Sequence, residues 1–277
     1  MLSLALGPFV LAVGHLLLIG ALALATLVGW IAGRRHGVNP ERAIFGLFIA
    51  GLMISRLSFV IAYWSQYQRH PLNIFDIRDG GFLVWPGVLA ILIGTAYWGW
   101  TRPPLRKALG MGVASGLLFG WLTGVGLNTL QANAPLPDLT LRNAAGETVH
   151  LRDFQGQALV VNLWATWCPP CRREMPVLQA AQQANANVTF LLINQGETPE
   201  EVATFFAHQG LHLDNVLFDA NGRLAEHVGS AALPTTLFYG PDGRLSGAHT
   251  GELSSASLKH ALDTIIDPTP SVSRSIP

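Results

Sequence analysis

The chain has 277 residues, enough for two domains, and half of them are apolar while only 12% are charged, which is unusual for a soluble protein. Its net charge of zero conceals an uneven distribution: residues 1–131 carry nine Lys or Arg and three Asp or Glu, a net +6, whereas residues 132–277 carry eight and fourteen, a net −6. This contrast predicts a membrane part followed by a soluble part. The absence of a basic stripe with interleaved aromatic residues argues against a nucleic-acid partner.

The first half contains four apolar stretches long enough to cross a bilayer, which takes about 20 mostly apolar residues. They cover roughly residues 6–33, 43–64, 82–100 and 108–130. The first lacks a basic leading segment and is too long for the apolar part of a secretory signal, so we expect it to be retained. Residues 1–130 are therefore predicted to form a four-helix transmembrane bundle with the lipid bilayer as its partner.

The charges of the predicted loops orient these spans. The first loop carries Arg34, Arg35 and Arg42, the third carries Arg102, Arg106 and Lys107, and the second has Arg69 and Arg78 offset by Asp76 and Asp79. Because basic loops remain in the cytoplasm, the first and third loops are predicted to be cytoplasmic. Both termini then lie outside, in the periplasm if the membrane is the inner membrane of a bacterium.

Two polar side chains fall inside the predicted spans, Arg56 in the second and His15 in the first. An ionisable residue within a span is by default a candidate for a functional site. The alternative for Arg56 is structural, in which it faces the bundle and pairs with an acidic or backbone partner. The alternative for His15 is a packed, hydrogen-bonded neutral ring.

Part of this half resembles the prolipoprotein diacylglyceryl transferase family. The shared features are the arginine in the span, a tyrosine-bearing end, Pro71-Leu72-x-Ile74-Phe75, and Gly80-Gly81 before the next span. The family usually has His-Gly-Gly where this chain has Trp85-Pro86-Gly87, and the family's later glycine- and arginine-rich signature is absent after Ala108. The resemblance therefore implies a shared membrane bundle without transferase activity.

The second half alternates strand-like and helix-like segments after a proline-marked linker at residues 131–137. Strands are predicted at 138–141, 148–151, 158–164, 188–194, 216–219, 235–239 and 244–250, and helices at 171–184, 199–208, 223–228 and 258–266. These elements predict an α/β domain over residues 138–266. The tail at 267–277 is rich in Ser and Pro and is predicted to be disordered.

The chain has only two cysteines, in the motif Trp167-Cys168-Pro169-Pro170-Cys171. A Cys-x-x-Cys that follows a strand-like run and opens a helix indicates a thiol–disulfide redox pair. The alternative is half of a zinc site, which needs two further ligands. His208 and His212 have ligand-like spacing, but they lie far from the cysteines in sequence, and Gly210 between them argues against a shared helical face.

Thiol–disulfide exchange needs an exposed, acidified thiolate and a resolving thiol beside it. Backbone N–H groups and the dipole at a helix N-terminus favour the thiolate of Cys168, and Cys171, three positions on, shares its face. We expect Cys168 to react first and Cys171 to resolve the mixed disulfide. Pro169 and Pro170 suit a first helical turn, and Pro176 is expected to kink the helix.

The segment from about residue 134 to 266 resembles the TlpA/ResA-like thiol–disulfide oxidoreductases, which have a thioredoxin-like fold. The motifs that carry the resemblance are NLWATWCPPCRREMP at 162–176, Ile193-Asn194-Gln195-Gly196-Glu197, Leu233-Pro234-Thr235-Thr236, Pro241-Asp242-Gly243 and Thr250-Gly251. No cofactor or metal is implied.

The resemblance also implies roles for individual residues. The Leu233–Pro234 bond is expected to be cis, with the backbone of Leu233 binding an extended substrate segment. Glu197 is expected to lie beside the cysteines as a partly buried acid with a raised pKa that passes protons to Cys171; the alternative is a solvated residue at a helix start. Trp167 is expected to shield the rim of the site, and Glu174 to be a structural acid of the first helical turn.

The resemblance favours reduction of disulfides in periplasmic proteins, and a tethered oxidase or isomerase is the alternative. A reductase in an oxidising compartment needs a source of electrons. The predicted spans contain no cysteine. We therefore expect a separate membrane thiol reductase to be the electron donor.

Overall fold

A computed structural model describes residues 3–6, 9–34, 37–68, 71–131 and 134–266. The chain divides into two compact units, one comprising Met1–Val10, Arg78–Gly80 and Thr129–Pro277, the other Leu11–Ile77 and Gly81–Asn128. The predicted tail at 267–277 lies outside the described residues.

The N-terminal half is mainly helical. Its elements are β1 (Ser3–Leu6), β2 (Phe9–Ala12), α1 (Val13–Arg34), α2 (Glu41–Ala62), α3 (Trp64–Tyr67), α4 (Val84–Thr101) and α5 (Arg106–Gln131), with short 3-10 helices at Pro71–Phe75 and Pro103–Leu105. The prediction of a helix from residue 6 was wrong, because β1 and β2 form a two-stranded sheet and α1 begins at Val13.

Three of these helical segments are long and apolar enough to cross a membrane: Val13–Arg34, Glu41–Ala62 and Pro103–Thr129. The remaining long helix, α4, has 18 residues. Tyr97, Trp98 and Trp100 lie in its last two turns and make that end less apolar than the start. The span predicted at residues 82–100 is thus the helix α4 in the structure, but α4 is not among the three candidate membrane spans.

Helices α2 and α4 approach each other closely where each carries a glycine. A Cβ atom added to Gly87 would lie 2.8 Å from the carbonyl oxygen of Gly51, and one added to Gly51 would lie 2.8 Å from the side chain of Ile91. Small residues that let two backbones approach are typical of helix packing inside membranes.

Arg56 lies on α2 with only 7% of its surface exposed. Its guanidinium donates to four backbone carbonyls of the segment before α4: Ile74 (3.2 Å), Gly81 (2.9 Å), Asp76 (2.7 Å) and Asn73 (3.3 Å). The structural alternative, with backbone partners, is therefore the one that the structure shows.

The C-terminal half forms one seven-stranded sheet with four helices. Its elements are β3 (Thr140–Asn143), β4 (Thr148–His150), β5 (Ala158–Trp164), α6 (Pro169–Ala184), β6 (Val188–Gln195), α7 (Pro199–Gln209), β7 (Val216–Asp219), α8 (Arg223–Val228), β8 (Thr235–Tyr239), β9 (Leu245–Thr250) and α9 (Ser255–Ile266). The strand order is β4-β3-β7-β6-β5-β8-β9. β5, β6 and β7 run parallel, and β8 is antiparallel to β5.

Side chains of the central strands alternate between two apolar clusters, one on each face of the sheet. On β5, Val160 and Trp164 belong to one cluster together with Met175 and Leu178 of α6, whereas Leu159, Val161 and Leu163 belong to the other. Asn162 shares the face of Val160 and Trp164 by this alternation. It therefore brings a buried polar group beneath α6.

Strands β5, β7 and β8 and helix α8 match the predicted bounds residue for residue. Strands β4, β6 and β9 differ from the prediction by one residue at one end, and β3 lies two residues further along the chain than predicted. Helix α6 begins at Pro169, two residues before the predicted start. Proline fits the first helical positions because its missing N–H has no partner there. This shift places Glu174 in the second turn rather than in the first, which corrects the prediction of a first-turn acid.

Candidate active site

Four chain segments meet at one edge of the sheet. Because β5 and β6 are parallel, the residues that follow them, Thr166 and Glu197, emerge at the same edge. β8 runs the opposite way and starts there, directly after Pro234, and β9 ends beside it, where Gly251 N donates to the carbonyl of Pro234 (2.9 Å). Topology thus gathers motifs that are far apart in the sequence.

The two cysteines form a disulfide at this edge, with their Cα atoms 5.3 Å apart. Cys168 is the N-cap of α6, and its sulfur accepts a hydrogen bond from Cys171 N (3.3 Å). Cys168 is 3% exposed and Cys171 is fully buried. Cys168 was expected to be the exposed cysteine, but in the disulfide state it is nearly as buried as Cys171 because it is packed within an apolar cluster.

The prolines of the motif shape the helix start. Pro169 and Pro170 occupy the first two helical positions and have no N–H, so Cys171 N is the first amide of the helix that can donate. That amide points at the sulfur of Cys168, which favours the thiolate once the disulfide is reduced. Pro176 lies inside α6, which is unbroken from Pro169 to Ala184.

The predicted substrate-binding residues lie at the same edge. The Leu233–Pro234 peptide bond is cis, as predicted. Pro234 is buried, Leu233 is half-buried, and Trp167 is 66% exposed. An exposed indole beside the reactive cysteine offers an apolar contact to a partner protein.

Glu197 is half-buried and holds the loop before the cysteines. Its carboxylate accepts hydrogen bonds from Thr166 N (2.7 Å), from the hydroxyl of Thr166 and from Asn194 Nδ2 (2.7 Å). Its own amide donates to Asn194 Oδ1 (3.1 Å). Glu197 therefore joins the end of β6 to Thr166, two residues before Cys168, and its described hydrogen bonds are with Thr166 and Asn194.

Glu174 is the acid that sequence reasoning undervalued. It is fully buried on α6, three residues beyond Cys171 and so on the same face of the helix. Burial raises its pKa to about 8, against the lowering effect of hydrogen bonds from Asn162 Nδ2 (2.8 Å) and Leu253 N (3.0 Å). Two features of the sequence could have identified Glu174 as a buried acid of the site. It lies three residues after Cys171, on the same helical face, and the otherwise apolar strand β5 contains the polar residue Asn162.

A groove of about 650 Å³ adjoins the cysteine motif on the side of α7. It is lined by Thr166, Arg172, Glu200, Glu201, Thr204, Phe205, His208 and Gln209.

Among the described residues, no group of three or more His, Cys, Asp or Glu could hold a metal ion. The structure therefore gives the zinc alternative no ligand set within the part of the chain that it describes.

A seven-stranded α/β fold with a Cys-x-x-Cys disulfide at the start of a helix, next to a cis-proline loop, defines a thioredoxin-like redox domain. The family model for the AhpC/TSA family matches residues 132–248, and that for prolipoprotein diacylglyceryl transferase matches residues 2–124. Each half of the chain thus has its own match.

Relatives of the C-terminal half agree with this class. Thiol-disulfide oxidoreductase ResA of Geobacillus thermodenitrificans is 30% identical over 131 residues, which are 47% of this chain and 75% of the relative. ResA of Bacillus subtilis is 27% identical over 142 residues, 50% of this chain and 79% of the relative. The solved structure of a thioredoxin-family thiol:disulfide interchange protein from Chlorobium tepidum is 26% identical to this chain. The likeness covers 48% of this chain and 97% of that structure, with a TM-score of 0.43. The chain belongs to the ResA-like thiol–disulfide oxidoreductases.

Proposed function

We propose that the chain is a membrane-anchored periplasmic oxidoreductase that reduces disulfides in extracytoplasmic proteins through Cys168 and Cys171. The observation that carries this proposal is the cysteine pair at the N-terminus of α6, on the sheet edge that also carries the cis Leu233–Pro234 bond. This arrangement supplies a nucleophile, a resolving thiol and a backbone edge for an extended substrate.

The reaction starts from the dithiol form. The thiolate of Cys168 attacks one sulfur of the substrate disulfide, forms a mixed disulfide and expels the other substrate sulfur as a thiolate, which takes up a proton. Cys171 loses its proton and attacks the sulfur of Cys168, which releases the second substrate thiol. The substrate gains two electrons, and the protein ends as the Cys168–Cys171 disulfide.

The step at Cys171 needs a group that can accept and return a proton. Glu174 suits this role, since burial raises its pKa to about 8, close to the usual value for a cysteine thiol of about 8.5. Matched pKa values let a proton pass in either direction at little free-energy cost. Glu197 was expected to do this, but its contacts with Thr166 and Asn194 favour a role in holding the loop of Cys168.

The membrane location rests on the helices of the N-terminal half. Three helical segments are candidate spans, and the proposal adds α4 as a fourth crossing. With four crossings, the positive-inside rule predicts that the C-terminal half lies on the side opposite the basic loops. Helix α4 is about 27 Å long at about 1.5 Å per residue, close to the hydrocarbon thickness of about 30 Å. The anchor would keep the redox domain at the membrane surface.

The electrons must come from another protein, because the chain has no cysteine beyond Cys168 and Cys171. We expect a membrane thiol reductase to reduce their disulfide. In cells that lack such reductases, alkylation trapping should find the pair oxidised. A pair that stays reduced in those cells contradicts the proposed donor.

The N-terminal half is proposed to serve as an anchor rather than as a lipid transferase. Arg56, a buried residue of α2, donates hydrogen bonds to four backbone carbonyls. The sequence also has Trp85-Pro86-Gly87 where the related transferases have His-Gly-Gly. Both observations favour a retained bundle that lacks transfer chemistry.

A single potential measurement tests the proposed direction. A reduction potential of Cys168–Cys171 near about −270 mV, as in thioredoxin, supports a reductase, whereas one near about −120 mV supports an oxidase. A Cys171→Ser variant should accumulate mixed disulfides with periplasmic proteins, while Cys168→Ser should not. Absence of any mixed disulfide with Cys171→Ser contradicts the proposed order of attack.

A further inference from the structure

An ion pair joins the active-site helix to the loop after β9. Arg173 donates to Glu252 Oε2 from Nε (2.8 Å) and from Nη2 (2.6 Å). The Glu252 side chain is 19% exposed and that of Arg173 is 47% exposed. Two donors on one carboxylate oxygen fix the loop relative to α6 more firmly than a single contact would.

The residue after Glu252 makes a direct bond to the buried acid of the site. Leu253 N donates to Glu174 Oε2 (3.0 Å), and Leu253 is buried. Glu174 and Arg173 are neighbours on α6, as Leu253 and Glu252 are in the loop. The loop is therefore joined to α6 by two neighbouring contacts: the partly exposed Arg173–Glu252 ion pair and the buried hydrogen bond from Leu253 N to Glu174.

We propose that Glu252 is a positioning residue for Glu174: paired with Arg173, it clasps the loop to α6, and its negative charge helps to keep the Glu174 carboxyl protonated. This inference rests on the proposed function, in which Glu174 exchanges protons with Cys171. The clasp supplies the Leu253 N–H, and the carboxylate of Glu252 supplies a charge that Arg173 partly offsets.

The groups that act on Glu174 come from three elements. Burial is the largest influence and raises its pKa; Asn162 of β5 and the amide of Leu253 lower it, and the charge of Glu252 raises it. On its own helix, Arg173 is bound to Glu252, and Cys171 is in the disulfide. From β9, the ring of His249 lies 3.3 Å from the carbonyl oxygen of Glu252 and so contacts the loop backbone.

The test uses the full-length protein in lipid nanodiscs and follows the protonated carboxyl of Glu174 by infrared difference spectroscopy. The band is assigned by its loss in Glu174→Gln. The variants are Glu252→Gln, which keeps an oxygen for Arg173 but removes the charge, and Arg173→Gln, which leaves the Glu252 charge unopposed. Asp263→Asn is the matched control, because it removes a carboxylate from a partly exposed ion pair with Lys259.

The two variants should shift the titration midpoint of Glu174 in opposite directions. Glu252→Gln should lower it and Arg173→Gln should raise it, since a charge at a partly buried site acts over several ångströms. Asp263→Asn should leave it unchanged. The pH–rate profile of disulfide exchange should move with the midpoint in each variant.

A clasp without an electrostatic role would give a different result. The hydrogen bond from Leu253 N lowers the pKa of Glu174. A looser loop in either variant would break this bond, so the titration midpoint of Glu174 would rise in both variants. That outcome, or no shift in either variant, overturns the inference. The infrared midpoint is measured without any substrate, so a protein that fails to exchange disulfides contradicts the proposed function and leaves this test intact.

Discussion

Two acids lie near the cysteines, and their surroundings give them different chemistry. Glu174 is fully buried and its carboxyl receives hydrogen bonds from only two described donors, Asn162 and Leu253, neither of which is charged. Glu197 is half-buried and tied to Thr166 and Asn194. A buried carboxyl without a cation in contact retains its proton to higher pH, as Glu174 does. These surroundings support the proposal that Glu174 exchanges protons and that Glu197 positions the loop.

Glu174 should make the stability of the redox domain depend on pH. Its pKa is about 8 in the folded state against 4.5 when unperturbed, so the folded state binds more protons between these values and stability falls as pH rises. The loss between pH 4.5 and 8 is about 4 kcal/mol. Glu174→Gln should remove this slope, as thermal unfolding of the full-length protein from pH 5 to 9 would show. Equal slopes for the variant and the wild type would contradict the assignment.

Glu197→Gln tests loop positioning at the same scale. The amide keeps one oxygen but loses the charge that strengthens the bonds from Thr166 and Asn194, so the Cys168 loop should be less ordered. We expect the rate of disulfide exchange to fall about tenfold with no change in the shape of its pH profile. Stopped-flow kinetics with a model disulfide measures both. A changed shape would instead support the proton-transfer role first expected for Glu197.

At the scale of elements, the sequence predicted most of the C-terminal half because local signals there agree. The strand β5 is buried throughout and apolar except for Asn162, and α7 begins with a capping box in which Thr198 and Glu201 bond reciprocally. The sequence could not show that β5 and β6 bring Thr166 and Glu197 together, since strand pairing is a long-range property. The two short strands before α1 were missed because their apolar residues continue the helix pattern.

Arg56 links α2 to the segment before α4, and its replacement tests that link. Arg56→Lys keeps the charge but cannot reach the carbonyls of Asp76, Ile74 and Gly81 together, because an ammonium lacks the planar fork of donors. Loss of the buried bond to Gly81 and weakening of the part-buried bonds to Ile74 and Asp76 should lower the stability of the N-terminal half by about 1–3 kcal/mol. Thermal unfolding in nanodiscs, with Arg102→Lys as an exposed control, measures this. A Tm equal to that of the wild type would show that the segment is held by other contacts.

At the scale of the whole molecule, the number of membrane crossings decides on which side the cysteine pair lies. If α1, α2 and α5 were the only spans, the first and last basic loops would lie on opposite sides of the membrane. With α4 as a fourth span, Arg34 and Arg42 share the cytoplasmic side with Arg102 and Arg106, as the positive-inside rule requires. The charge distribution thus favours four spans, although α4 ends in aromatic residues that are less apolar than those of its neighbours.

Single-cysteine labelling tests this topology in intact cells. In a Cys168→Ala, Cys171→Ala background, a membrane-impermeant maleimide should modify Gly146→Cys, in the turn between β3 and β4, without permeabilisation. The same reagent should reach Gly37→Cys and Arg102→Cys, at the two basic loops, only after permeabilisation, because the positive-inside rule predicts that those loops are cytoplasmic. Labelling of Arg102→Cys in intact cells would mean that α4 does not cross the membrane. Protection of Gly146→Cys would place the redox domain in the cytoplasm, where disulfides are rare and the proposed reduction of periplasmic proteins cannot occur.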